Sequence, residues 1–201
     1  MIGLRTTVFR SLAAALLVSM ACAAQAKTQH SDLVAFQNPD GSPADFRFVD
    51  GFATLKRSDQ GVLLTLETSE STEGDAYTIW FVVFNNPGAC DGDCDGTDLG
   101  IAAVAGSVLN GGGGYGDADG NFSITSFLPV GFIHTNPLEP THARQLFGPG
   151  LQDPKGAEIH IILKTHGPSL NTVEQISTVA GDCNTGVGAG CHDPAAAAFL
   201  P

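Results

Sequence analysis

Four aspartates crowd the segment Cys90-Asp91-Gly92-Asp93-Cys94-Asp95-Gly96-Thr97-Asp98. Carboxylates at alternate positions can converge when glycine lets the chain turn, and oxygen-only ligands of this charge suit calcium, which takes about 6–8 oxygens. Asp91, Asp93, Asp95 and Asp98 are therefore the candidate calcium ligands. The plain alternative is a solvated acidic turn closed by a disulfide. A second acidic stretch, Gly116-Asp117-Ala118-Asp119-Gly120-Asn121, could add oxygens, but Asp-Gly between extended runs is also a hairpin signal in its own right.

A different chemistry is offered by Glu158-Ile159-His160-Ile161-Ile162-Leu163-Lys164-Thr165-His166. On a strand, Glu158, His160, Ile162, Lys164 and His166 share one face, and Ala157, Ile159, Ile161 and Leu163 fill the other. Glu158 and His160 are near neighbours that could hold zinc or copper, or act as an acid/base pair. His160 and His166 lie about 20 Å apart along a straight strand and cannot share one ion. His134 and His142 come from another segment and could converge on the pair. The bland reading is a half-exposed sheet face, with His166 in a turn before Gly167-Pro168.

Several motifs are excluded. Asp91, Asp93, Asp95 and Gly96 match the first half of an EF-hand loop, but Ala102 stands where its bidentate glutamate belongs. Cys191-His192 lacks the second cysteine of the haem attachment motif. Nucleophile-elbow, phosphate-loop and zincin patterns do not occur. A paired-carboxylate glycosidase has no local signature and stays open.

The elements that must carry these residues are predicted to be strands. Asp45–Val49, Phe52–Lys56, Gly61–Thr68 and Ala76–Asn85 are expected strands, with Asp50-Gly51 as a turn between the first two. Tyr77, Ile79, Trp80, Phe81, Val82, Val83 and Phe84 mark a central strand buried on both faces. Further strands are expected at 121–128, 130–134, 157–165 and 172–179, and 100–109 leans the same way. Gly111–Gly114 reads as a flexible loop, Thr141–Phe147 as one or two helical turns, and Ala195–Pro201 as a frayed tail.

Residues 1–26 have the pattern of a cleavable secretory signal: Arg5 and Arg10, an apolar run from Ser11 to Ala24, then Ala24-Gln25-Ala26. The run is shorter than the roughly 20 residues a membrane span needs. An uncleaved anchor and lipidation at Cys22 are the alternatives. Residues 27–201 would then form a single exported domain, periplasmic or extracellular, with no membrane span. Without Arg5 and Arg10, the seven basic residues left face 21 acids, a net charge of −14. That sign repels nucleic acid and anionic membrane surfaces.

Cys90, Cys94, Cys183 and Cys191 remain in residues 27–201, an even number that implies disulfides outside the cytoplasm. Close spacing favours Cys90–Cys94 and Cys183–Cys191. Cross-pairing of the two loops, or a metal–thiolate site, are the rivals.

Ala76-Tyr77-Thr78-Ile79-Trp80-Phe81-Val82-Val83-Phe84-Asn85-Asn86-Pro87 and Ala157-Glu158-Ile159-His160 through His166-Gly167-Pro168 resemble segments of a group of uncharacterised secreted bacterial β-proteins. Those proteins also carry a signal peptide and cysteines after the Asn-Pro. The Ile-His and His-Gly-Pro pieces are similar to those of CHRD domains, which are extracellular β-sandwich modules. The acidic loop resembles aspartate-rich loops of extracellular calcium modules. Copper/zinc superoxide dismutase shares a related sandwich, but Glu158 stands where its H-x-H ligand motif would need a histidine, so its activity is not carried over.

The expected fold is an all-β, antiparallel, Ig-like or CHRD-like β-sandwich with disulfide-stapled loops. The expected function is a secreted non-enzymatic module, calcium-stabilised, with a binding or an envelope or matrix role and an extracellular or envelope ligand. The alternative is a zinc- or copper-binding protein or metalloenzyme built on Glu158 and His160.

Overall fold

The computed structural model describes residues 27–131, 144–168 and 192–201. Nine strands form among them: β1 (Thr28–Ala35), β2 (Phe48–Ser58), β3 (Gly61–Thr68), β4 (Asp75–Phe84), β5 (Gly106–Tyr115), β6 (Phe122–Pro129), β7 (Arg144–Phe147), β8 (Glu158–Pro168) and β9 (His192–Phe199). The chain is all-β and antiparallel, as its period-two patterning requires. Its hydrogen bonding makes one continuous sheet, in the order β6-β3-β2-β1-β9-β8-β4-β5-β7, where a sandwich would divide into two. No helix among the described residues is long and apolar enough to cross a membrane.

The sheet curls until its ends meet. Tyr77 on β4 packs its ring 5.2 Å from that of Phe122 on β6, although five strands lie between them in the hydrogen-bonded order. One face is therefore enclosed, and Leu33, Leu55, Leu64, Phe81, Ile161 and Phe199 from six strands share a single core. Each such side chain contributes roughly 1.5–3 kcal/mol by leaving water, which fixes which face of each strand turns inward. On β3 that face is Val62, Leu64 and Leu66; on β8 it is Ile159, Ile161 and Leu163.

Several expectations are corrected. Asp50-Gly51 is not a turn: β2 runs through it, and the two residues bulge from β2 opposite the step from Asp32 to Leu33 of β1. Asp45–Arg47 lies outside any strand. Gly111–Gly114 is not a loop but part of β5, laid tightly on β4. A Cβ on Gly113 would sit 2.1 Å from the Tyr77 carbonyl oxygen, and one on Gly111 2.7 Å from the Phe81 ring. Gly111 and Gly113 stand where β4 leaves no room for a Cβ, and Gly112 has a φ of 93° that favours glycine.

Asp117–Gly120 does make a turn, in which Asp117 Oδ1 accepts from the amides of Asp119 and Asn121 at 2.9 and 2.7 Å. It is not a hairpin. The strands it joins are not paired, since β6 pairs with β3 and β5 with β4 and β7. The expected strand at 100–109 begins only at Gly106, after a single 3-10 turn at Asp98–Gly100.

Arg144–Phe147 is the edge strand β7, not a helical turn; four residues form no stable helix alone, and the open edge of β5 offers them hydrogen bonds. Ala195–Phe199 is not frayed but part of β9, held between β1 and β8. Val130 makes one isolated bridge to Leu151. The rest of the strand expected at 130–134, the one at 172–179, Thr141–Ala143, His134, His142, Cys183, Cys191 and the export signal lie outside the described residues.

Candidate functional site

The outer, convex face of the sheet is where the candidate residues gather. Strand register sets Phe48, Val34, Ala196, Ile162 and Trp80 side by side across β2, β1, β9, β8 and β4. One step along, Ala198, His160 and Val82 form a second row. β9 contributes only Ala196 and Ala198 to these two rows, because Ala195, Ala197 and Phe199 point into the core. Small residues between larger ones leave a trough.

The segment after β4 supplies the trough's wall. It turns back over the outer face, where Cys94 and Val104 bury themselves against Phe84, and Leu99 packs beside them. Asn85 and Asn86 fasten both ends. Asn85 Nδ2 donates to the carbonyls of Ala105 and Gly150 at 2.7 and 2.8 Å, and its Oδ1 accepts from the Gln152 amide at 2.7 Å. Asn86 Nδ2 donates to the Ala103 carbonyl at 3.0 Å. Cys90 and Cys94 form the expected short-range disulfide, which rules out cross-pairing between the two cysteine loops.

The four aspartates of this segment do different jobs. Asp98 is buried, and its two carboxylate oxygens accept from the amides of Asp91 and Asp95 at 3.3 and 2.9 Å. It pins the loop from inside. Asp95 Oδ1 accepts from the hydroxyl and the amide of Thr97 at 2.6 and 2.7 Å. These bonds, side chain first, hold the Asp95 carboxyl below the usual aspartate range, with a smaller contribution from nearby His160. Asp91 and Asp93 face solvent. Among the described residues no three of His, Cys, Asp and Glu are grouped to hold an ion. Calcium at this loop would have to take Asp98 away from two backbone amides.

Glu158 and His160 do meet: His160 Nε2 lies 2.7 Å from Glu158 Oε1. An ionised carboxylate only accepts, so Nε2 carries the hydrogen, and a neutral His160 keeps its lone pair on Nδ1. Glu158 is 7 % exposed, and the Phe84 ring stands edge-on to the imidazole at 5.1 Å. His166 is elsewhere. It is buried in β8, not in a turn, with Nε2 2.8 Å from Thr78 Oγ1.

The two polar features that the sequence presents separately thus border one groove of about 560 Å³. Val34, Phe36, Val82, Ile162, Ala196 and Ala198 make its apolar body; His160 lies in its floor and Asp95 on its wall. Two other depressions differ from it: a mainly polar one of about 350 Å³ beside Asp75 and His192, and an open one of about 600 Å³ beside Asp32, Phe52 and Glu67 whose lining is polar and apolar in nearly equal parts.

The disulfide braces the groove wall. Replacing Cys90 and Cys94 together with serine is expected to cost about 2 kcal/mol in urea unfolding, the loop-closure value for so short a loop, with faster amide exchange confined to residues 86–105.

No protein-family model, curated protein or solved structure matches the chain.

Proposed function

We propose that this chain is an exported, non-enzymatic binding module whose ligand lies in the groove between the acidic loop and the outer face of β1, β9, β8 and β4. The observation that carries this reading is the groove itself: a mainly apolar trough of about 560 Å³, left open by the described residues, with polar groups concentrated at one end. Small-molecule sites have this size and this division of labour, apolar walls for affinity and a few polar groups for orientation. Export rests on the signal pattern of residues 1–26. Binding is favoured over catalysis because Cys94, the cysteine at the groove, is held in the disulfide and apolar side chains make most of the lining. The copper or zinc reading has only Glu158 and His160 in contact and would need Asp95 to swing in as a third donor.

Nile red, a neutral apolar dye, tests the reading. Saturable binding of one dye per chain is expected, with the single tryptophan, Trp80, reporting it from the next position in the row. Ala198→Phe fills the trough from an exposed position and should weaken binding about tenfold or more, which is at least 1.4 kcal/mol. Dye binding that ignores this substitution overturns the reading. Stoichiometric copper or zinc in the purified protein, lost in His160→Ala, would put the metal reading in its place.

A further inference from the structure

We infer that the groove selects small amphiphiles that carry a protonated amine at one end of an apolar body; this rests on the binding reading above and deepens it. The polar end of the groove is built from acceptors. Asp95 on the wall is a carboxylate. His160 in the floor gives its Nε2 hydrogen to Glu158 and keeps only an acceptor on Nδ1 while neutral. Among the described residues no lysine or arginine lines the groove.

The sign of the charge does not depend on the histidine. With His160 neutral, Asp95 and Glu158 leave two negative charges at this end. With His160 protonated, one remains. A ligand carboxylate or phosphate would meet net repulsion in both states, and an alcohol would gain hydrogen bonds but no charge attraction. An ammonium supplies three N–H donors on a compact centre and matches both the acceptors and the charge. The alanine-floored trough running from His160 toward Val34 and Phe36 takes the apolar tail.

Three eight-carbon competitors of Nile red separate the terms: octylammonium, octan-1-ol and octanoate. Octylammonium is expected to displace the dye at roughly two- to fivefold lower concentration than octan-1-ol, the size of effect for a solvent-exposed charge pair, with octanoate weakest. Asp95→Asn keeps an oxygen for Thr97 and removes the charge, so it should bring octylammonium to the level of octan-1-ol and leave octan-1-ol unchanged. Ala198→Phe keeps every charge and should abolish displacement by both, which excludes loose attraction of a cation to an acidic chain. If octan-1-ol displaces the dye and octylammonium does no better, or octanoate does best, the amine selectivity is overturned and the groove stands. If neither dye nor any competitor binds, both readings fall.

Discussion

Replacing Arg57 with methionine is expected to remove about 4 kcal/mol of folding stability, the largest loss from any single site outside the hydrophobic core. Arg57 lies on β2 with 1 % of its surface exposed. A guanidinium has five N–H donors, and all five are used. Nε donates to Gln29 Oε1 at 2.5 Å, Nη1 to the carbonyls of Pro154 and Ala157 at 2.7 and 2.9 Å, and Nη2 to those of Phe199 and Leu200 at 3.1 and 3.2 Å. Burial alone would push its proton affinity down, and Asp153 nearby opposes that. One side chain therefore ties β1, the approach to β8 and the end of β9 to β2. Methionine fills much of the volume but takes this donor from the carbonyls of Pro154, Ala157 and Phe199, while that of Leu200 keeps Gln29 Nε2 at 2.6 Å, and a buried group stripped of its partner costs about 1–3 kcal/mol each before relaxation. Arg57→Lys restores a charge with three donors in the wrong geometry and should recover about half. Urea unfolding of the two variants measures both values, and amide exchange should show the loss first in residues 195–199. A loss under about 1 kcal/mol for Arg57→Met would mean that water replaces the guanidinium at little cost.

Nothing in the sequence marks Arg57 as more than a surface residue on an alternating strand, because its five partners come from positions 29, 154, 157, 199 and 200. The same division runs through the fold. β3, β4, β6 and β8 were legible because their own residues alternate or form β-branched and aromatic runs. β9 was not, since alanine fits either face of a sheet and gives no period; only Ile161 and Val34 on the neighbouring strands determine that Ala197 goes in and Ala196 out. β5 was misread for a related reason. Four glycines signal freedom when read alone, and here Gly111 and Gly113 signal that Phe81 and Tyr77 come too close for a side chain.

The candidate site shows the same limit. The Glu158–His160 contact followed directly from strand periodicity. That Asp95 stands over the same groove did not, because 63 positions separate it from Glu158 and only the fold-back anchored by Asn85 and Asn86 brings them together. Asn85-Asn86-Pro87 follows directly on the end of β4. Asparagine at such a turn is a residue whose side-chain amide readily hydrogen-bonds backbone, and that is the one local signal of the anchors.

His166 carries the second large effect, and it appears with pH. Burial first, and then the positive charge of Lys164, push its imidazole down to about 4; Asp193, whose Oδ1 lies 2.7 Å from Lys164 Nζ, opposes them. The local hydrogen bonding agrees. Trp80 Nε1 donates to Thr78 Oγ1 at 3.0 Å, which leaves the hydroxyl hydrogen for the lone pair of a neutral His166 Nε2. The unfolded chain binds a proton near pH 6.5 and the folded chain near 4, so protons favour unfolding between those values. Stability should be flat above about pH 6.5 and fall by about 3 kcal/mol as pH drops toward 4. Glu70, held below the usual glutamate range mainly by the Asp50 amide, loses its contribution only at the acid end of that window and below. Asp75, raised by burial, works in the opposite direction there. His166→Gln isolates the histidine: the wild type minus the variant should show the whole fall between pH 6.5 and 4, whatever the variant's own stability at neutral pH. Parallel profiles for the two proteins would mean that His166 gains water or a partner on protonation, and the loss of acid stability would then belong to the carboxylates.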